Sequence, residues 1–92
     1  MTFTIITTVL NNEKFILDCL KSVQKQNFSK KKLEHLIIDG GSSDQTISII
    51  KKFKKKNDYI KFFQKKNFSI YQAVNFGIKS SKNKYIGLLH SD

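Results

Sequence analysis

Proline, tryptophan and arginine are all absent from these 92 residues, and cysteine occurs once, at Cys19. A single cysteine excludes an internal disulfide framework and fits a reducing compartment. Cys19 is expected to pack as a small apolar side chain rather than to act as a thiol nucleophile. No apolar run approaches the eighteen or so residues that a membrane span needs. The stretch Met1 to Ile6 has no basic residues ahead of its apolar ones, so it does not read as a secretory signal. The expected setting is the cytoplasm, with association at the inner face of the membrane as an option left open by the charge.

That charge is one-sided. The net value is +10 and every basic residue is lysine, gathered in 29–34 (SKKKLE), 51–56 (KKFKKK) and 64–67 (QKKN). An anionic membrane surface or nucleic acid could meet such lysines, and so could solvent alone. Arginine is the usual bidentate reader of guanine and phosphate, and its absence argues against specific nucleic-acid recognition.

Apolar periodicity divides the chain into seven elements. Residues 3–10 (FTIITTVL) are apolar and β-branched and predict a strand. Asn11 and Asn12 break it and can cap a helix over about 13–26, where Phe15, Ile16, Cys19, Leu20 and Val23 recur at helical spacing. Residues 33–39 (LEHLIID) predict a second strand. Ser42 and Gln45 have capping-box spacing for a helix over about 44–56, with Asp44 suited to its first turn. Residues 59–64 predict a third strand. Ile70, Val74 and Ile78 form the stripe of a third helix, and 84–90 (KYIGLLH) predict a fourth strand. The first, second and fourth strands read as near-continuous apolar runs, the pattern of strands covered on both faces.

Strictly alternating strands and helices predict an α/β fold with a parallel sheet and helices on both faces. Right-handed crossovers arrange it in the order 3-2-1-4, with the topological switch between the first and fourth strands. Ligands bind outside the carboxyl ends of strands at such a point. This chain places polar groups there: Thr8, Val9, Leu10 and Asn11 after the first strand, Asp39 after the second, and His90, Ser91 and Asp92 after the fourth. Gly40 and Gly41 permit a tight turn beside Asp39. Neither G-x-G-x-x-G nor a Walker loop is present, so a glycine-rich phosphate cradle is not expected. Asp39 suits a base or ribose contact, or else simply ends a strand. Asp92 is the candidate for a divalent metal, which needs only one or two carboxylates when phosphate oxygens complete its shell. His35 and His90 lack metal-ligand spacing and are expected to be structural or solvent-facing.

Three segments carry a family resemblance: TIITTVLNNEKFILDCLKSVQKQNF (4–28), EHLIIDGGSSDQTISII (34–50) and SIYQAVNFGIKSSKNKYIGLLHSD (69–92). In this order they resemble the start of a family 2 glycosyltransferase of GT-A fold, of the colanic-acid and polysaccharide-biosynthesis type. The resemblance implies the nucleotide-sugar-binding part of a glycosyltransferase domain over 1–92. It implies transfer of a sugar from a nucleotide diphosphate sugar to a saccharide or lipid-linked acceptor, with Mg2+ or Mn2+. By the same resemblance Thr8, Val9, Leu10 and Glu13 line the nucleotide pocket, Asp39 holds the base, and Asp92 is the first acid of the motif at the ribose, diphosphate and metal.

The sequence departs from the family pattern in places. Gln45 replaces a usual glycine in 39–46 (DGGSSDQT), and Asn67, Ser69 and Gln72 replace D, G and D of D-x-G-I-Y-D-A-M-N. The family's second acid and catalytic base fall beyond Asp92, so no glycosyl transfer is expected from these 92 residues by themselves. A noncatalytic nucleotide-binding remnant and a basic nucleic-acid-binding module are the alternatives. Incomplete cover of the sheet around strands two and three, and a fourth-strand edge, predict self-association that strengthens as salt screens the lysines.

Overall fold

The computed structural model describes residues 3–26, 29–83 and 85–90. Four strands, β1 (Phe3–Val9), β2 (Leu33–Asp39), β3 (Ile60–Gln64) and β4 (Tyr85–Leu88), alternate with three helices, α1 (Ile16–Gln24), α2 (Thr46–Lys54) and α3 (Ile70–Ser80). A 3-10 turn at Lys30–Lys32 leads into β2. All strand pairs are parallel and the order is β3-β2-β1-β4, as the alternation predicted. Helices α1 and α2 are shorter than their apolar periodicity suggested, because residues 13–15 and 44–45 are used as turns that join loops to one another.

The register decides which side chains meet which helix. Phe3 pairs with Leu33 and Val9 with Asp39, so alternate residues of β1 and β2 face the same layer. On one side Val9, Leu33, Ile37 and Ile60 meet Ile16, Leu20 and Val23 of α1 and Ile50 of α2. On the other side Ile6, Leu36 and Ile38 meet Ala73 of α3, with Phe63, Phe68 and Phe76 packed alongside. Every residue of β2 is buried, as expected of a strand between two layers. Each aliphatic side chain fully buried here contributes about 1.5–3 kcal/mol over leaving it in water. Cys19 is buried and unpaired, and burial raises its pKa against a smaller opposing effect of the Thr7 hydroxyl.

Four expectations are corrected. The third helix does not bury the Ile70, Val74, Ile78 stripe: Ile70 and Ile78 are exposed, and the contact face is Ala73 and Gly77. A Cβ on Gly77 would stand 2.9 Å from Ile6 Cγ2, so the missing side chain lets α3 lie directly on β1. The bare part of the sheet is β4 rather than strands two and three, because α3 leans over β1, β2 and the phenylalanine cluster. All four residues of β4 are therefore exposed, although their sequence reads as a buried strand. Finally, Ser42 and Gln45 make no capping box: the N-cap of α2 is Gln45, without a side-chain cap bond. Ser42 turns back towards Asp39 instead.

Candidate functional site

The carboxyl ends of the strands are joined by a hydrogen-bonded hub centred on Asp39. Its Oδ1 accepts the Gly41 and Ser42 amides, both at 2.7 Å, and its Oδ2 accepts the Ser42 hydroxyl at 2.5 Å. The Ser42 oxygen in turn accepts the Asn11 amide at 2.8 Å. Asn11 has φ of +48°, a left-handed conformation that asparagine tolerates, and this lets its Oδ1 accept the Ser43 amide at 2.7 Å. Thr46 Oγ1 accepts the Asn12 amide, and Asp44 accepts both the Thr46 and the Glu13 amides. The Thr46 side chain is the leading cause that holds the Asp44 carboxyl below its ordinary range, with the Thr46 and Glu13 amides adding to it against a desolvation effect.

A third loop is tied to the same hub. The Asp39 carbonyl accepts the Lys65 amide, and the Gly40 carbonyl accepts the Asn67 amide. Gly41, at φ +113°, takes a backbone shape that side chains rarely adopt. Gly40 lies where a Cβ would sit 3.1 Å from the Phe68 carbonyl. So the glycine pair and its flanking acids stitch the loops after β1, β2 and β3 into one rigid rim.

Beneath that rim is a cavity of about 380 Å³. Thr8, Val9, Leu10 and Asn12 line it from the β1 end, Ile38 and Gly40 from the β2 end, and Phe68, Ser69, Ile70 and Ala73 from the start of α3. His90, just past β4, closes the remaining side. The cavity therefore sits at the β1–β4 switch, where the topology predicts a ligand. Its lining is more apolar than polar and includes hydroxyl, amide and imidazole groups, the usual make-up of a small-molecule site.

The sequence-predicted residues divide on this geometry. Thr8, Val9 and Leu10 line the cavity together. Glu13 is exposed in the turn ahead of α1, with its amide bound to Asp44. Asp39 is wholly buried, and its carboxylate is engaged by its own loop. Asp92, the metal candidate, lies outside the described residues. Among the described residues no group of three His, Cys, Asp or Glu side chains is placed to hold a metal ion.

Sequence reasoning passed over Asn12, Phe68 and Ser69 as cavity residues, whereas it placed His90 at this end of the sheet. Ser69 had a readable signal. Its hydroxyl accepts the Gln72 amide, and the Gln72 side chain accepts the Ser69 amide, a capping box at S-x-x-Q spacing. Two departures from the family pattern thus form a matched pair that starts α3. The two histidines also separate. His35 is fully buried, with Nε2 2.9 Å from Thr7 Oγ1, and burial lowers its pKa to about 4. His90 is exposed at the cavity.

The model for glycosyl transferase family 2 matches residues 4–92. The chain belongs to that family. Curated relatives include the dolichyl N-acetyl-alpha-D-glucosaminyl phosphate 3-beta-D-2,3-diacetamido-2,3-dideoxy-beta-D-glucuronosyltransferase of Methanococcus voltae, 35% identical over 88% of this chain and 26% of the relative. An uncharacterized glycosyltransferase of Rickettsia conorii is 42% identical over 96% of this chain and 14% of its own length. The chain thus spans about a quarter or less of these relatives. Among solved structures, residues 1–349 of Staphylococcus aureus TarS in complex with UDP-GlcNAc superpose with a TM-score of 0.90 and 30% identity, covering 100% of this chain and 27% of TarS 1–349. A mannosyltransferase of Pyrobaculum calidifontis, in complex with GDP-Man and Mn2+, shares the fold at a TM-score of 0.90 and 18% identity, covering 98% of this chain and 27% of its own. The chain accordingly shares its four-stranded parallel sheet and three helices with the GT-A fold.

Proposed function

We propose that this chain is the donor-binding part of a glycosyltransferase, holding a nucleotide diphosphate sugar for transfer to a saccharide or lipid-linked acceptor in polysaccharide biosynthesis. The observation that carries the reading is the cavity at the β1–β4 switch, lined by Thr8, Val9 and Leu10. Support comes from a relative of 30% identity across the whole chain whose structure was solved with UDP-GlcNAc. In this reading the base and ribose lie against Thr8 to Leu10, with Phe68 as apolar cover. Glu13, exposed beside Asn12, faces the ribose side of the entrance.

Asp39 acts one step back. With no accessible surface and three donors from its own loop, it shapes the rim that receives the base. A direct base contact would require the Ser42 hydroxyl to swing away. Asp92 follows His90 by two residues, and its carboxylate would share Mg2+ or Mn2+ with the donor's diphosphate oxygens, the arrangement that hard cations favour. The metal would neutralise the leaving diphosphate. The chain's own residues bind and orient the nucleotide.

Calorimetry with UDP, GDP and UDP-GlcNAc, each with and without manganese, tests this reading. Binding of one uridine or guanosine diphosphate, weakened in Asp39→Ala and strengthened by manganese only when Asp92 is intact, is the expected result. Equal affinity of wild type and Asp39→Ala, or no binding to any nucleotide, would contradict it.

A further inference from the structure

The chain leaves β1 at Val9 and turns at Asn11, whose φ of +48° is a left-handed shape that asparagine tolerates better than most residues. This residue stands between two that line the cavity, Leu10 and Asn12, and is not itself part of the lining. Its carboxamide is turned instead to the loop after β2, where Oδ1 accepts the Ser43 amide at 2.7 Å and lies 3.5 Å from the Ser43 hydroxyl. The Asn11 amide donates to Ser42 Oγ at 2.8 Å, and the Asn12 amide donates to Thr46 Oγ1 at 2.9 Å.

The two amide bonds come from the main chain and survive a change of side chain at position 11. The bond to the Ser43 amide and the ease of the left-handed turn do not. Asn11 is exposed, so it brings no apolar burial to the fold. What its side chain adds is a fixed direction for the chain between Leu10 and Asn12, and with it the placing of the β1 wall of the cavity against the Gly40 wall. A ligand that must touch both walls binds more weakly when that direction is one of several, in proportion to the fraction of molecules that hold it.

We propose that Asn11 is a positioning residue for the nucleotide: it holds Leu10 and Asn12 in the shape that binds, without touching the ligand itself. The proposal rests on the donor-binding reading of the cavity and adds to it a residue that acts through its neighbours. Asn11→Ala loses both the latch to Ser43 and the left-handed preference. Asn11→Gly loses the latch alone, because glycine adopts the left-handed shape freely. Asn11→Asp keeps an acceptor oxygen at the same reach and keeps the tolerance for a left-handed turn.

Calorimetry with uridine and with UDP tests it, on variants shown to be folded by circular dichroism. Asn11→Ala is expected to bind both about tenfold more weakly, the share of competent molecules lost when an ordinary residue must take a left-handed turn. Asn11→Gly should fall between Asn11→Ala and wild type. Asn11→Asp should match wild type with uridine, which carries no charge for the new carboxylate to repel. Val23→Ala, which opens the core beneath the last turn of α1, should lower the melting temperature and leave both affinities as they were. Equal affinity of Asn11→Ala and wild type, an equal loss in Val23→Ala, or Asn11→Asp binding uridine no better than Asn11→Ala would overturn the proposal and leave the donor-binding reading in place. Wild type that binds neither uridine nor UDP would overturn that reading, and the role of Asn11 with it.

Discussion

The Ser42 hydroxyl donates to Asp39 Oδ2 while its oxygen accepts the Asn11 amide, so one serine joins the loops after β1 and β2. Its replacement removes two bonds at once, one of them to a charged group. Ser42→Ala should therefore cost about 1–3 kcal/mol of stability. Asp39→Ala should cost more, because it also leaves the Gly41 and Ser42 amides without their acceptor. Urea denaturation of the two variants measures both. A Ser42→Ala midpoint equal to wild type would mean that the rim is held by its backbone bonds alone.

Gly77 is set by packing. An added Cβ meets Ile6 Cγ2 at 2.9 Å, Cδ1 at 3.0 Å and Cγ1 at 3.2 Å. Alanine is favoured over glycine inside a helix by about 1 kcal/mol. Overpacking costs typically 1–3 kcal/mol and should win here, since Ile6 is itself closed in at 1% exposure. Gly77→Ala is expected to lower the melting temperature, and a rise would show that α3 can lift from β1 without penalty.

His35 gives the fold a pH dependence. Burial lowers its folded pKa to about 4, below an ordinary value near 6.5, so between these pH values the unfolded chain binds the extra proton. Its contribution is complete above pH 6.5 and is lost as pH falls towards 4. The loss between pH 7 and pH 5 should be about 2 kcal/mol. His35→Leu should flatten the stability profile in that window, and an unchanged slope would assign the dependence to other groups. Glu34 acts lower on the scale: burial raises its pKa, but hydrogen bonds from Lys61, Thr4 and Lys82 outweigh it and the net shift is downward.

The Tyr59 hydroxyl is buried, its pKa is raised by that burial, and among the described residues it meets no hydrogen-bond partner. A desolvated hydroxyl without a partner costs about 1–3 kcal/mol. Tyr59→Phe should thus be neutral or stabilising by up to about 1 kcal/mol in thermal melts. A clear loss of stability would reveal a partner for the hydroxyl.

Along β4 the free edge is apolar, with Leu88 57% exposed beside Tyr85 and Ile86. Such an edge invites pairing with another chain. Analytical ultracentrifugation should show association that increases with salt and decreases in Leu88→Lys. A monomer at every salt concentration would mean that the lysines or the strand's shortness suffice to protect the edge.

Strand order, and with it the end of the sheet where a cavity opens, were legible because they follow from alternation and crossover handedness. Thr8, Val9 and Leu10 were placed by the end of one apolar run. The inward face of α3 was not legible. Ile70, Val74 and Ile78 have helical spacing, but contact is decided by Ala73 and Gly77, whose small size permits close approach that hydrophobicity alone does not report. β4 misled for a related reason: its apolar residues look like core, yet α3 leans away from it. The role of Ser42 was hidden by two compatible patterns, a capping box and an aspartate-centred turn, between which only the cross-loop bond to Asn11 decides.

The most direct test of the donor-binding reading is an amide chemical-shift titration of the 15N-labelled chain with UDP and manganese. The account predicts saturable shifts at Thr8, Val9, Leu10, Gly40, Ser69 and His90, and none along Lys51 to Lys56. Shifts confined to the lysine edge, or none at the cavity at saturating nucleotide, would contradict it.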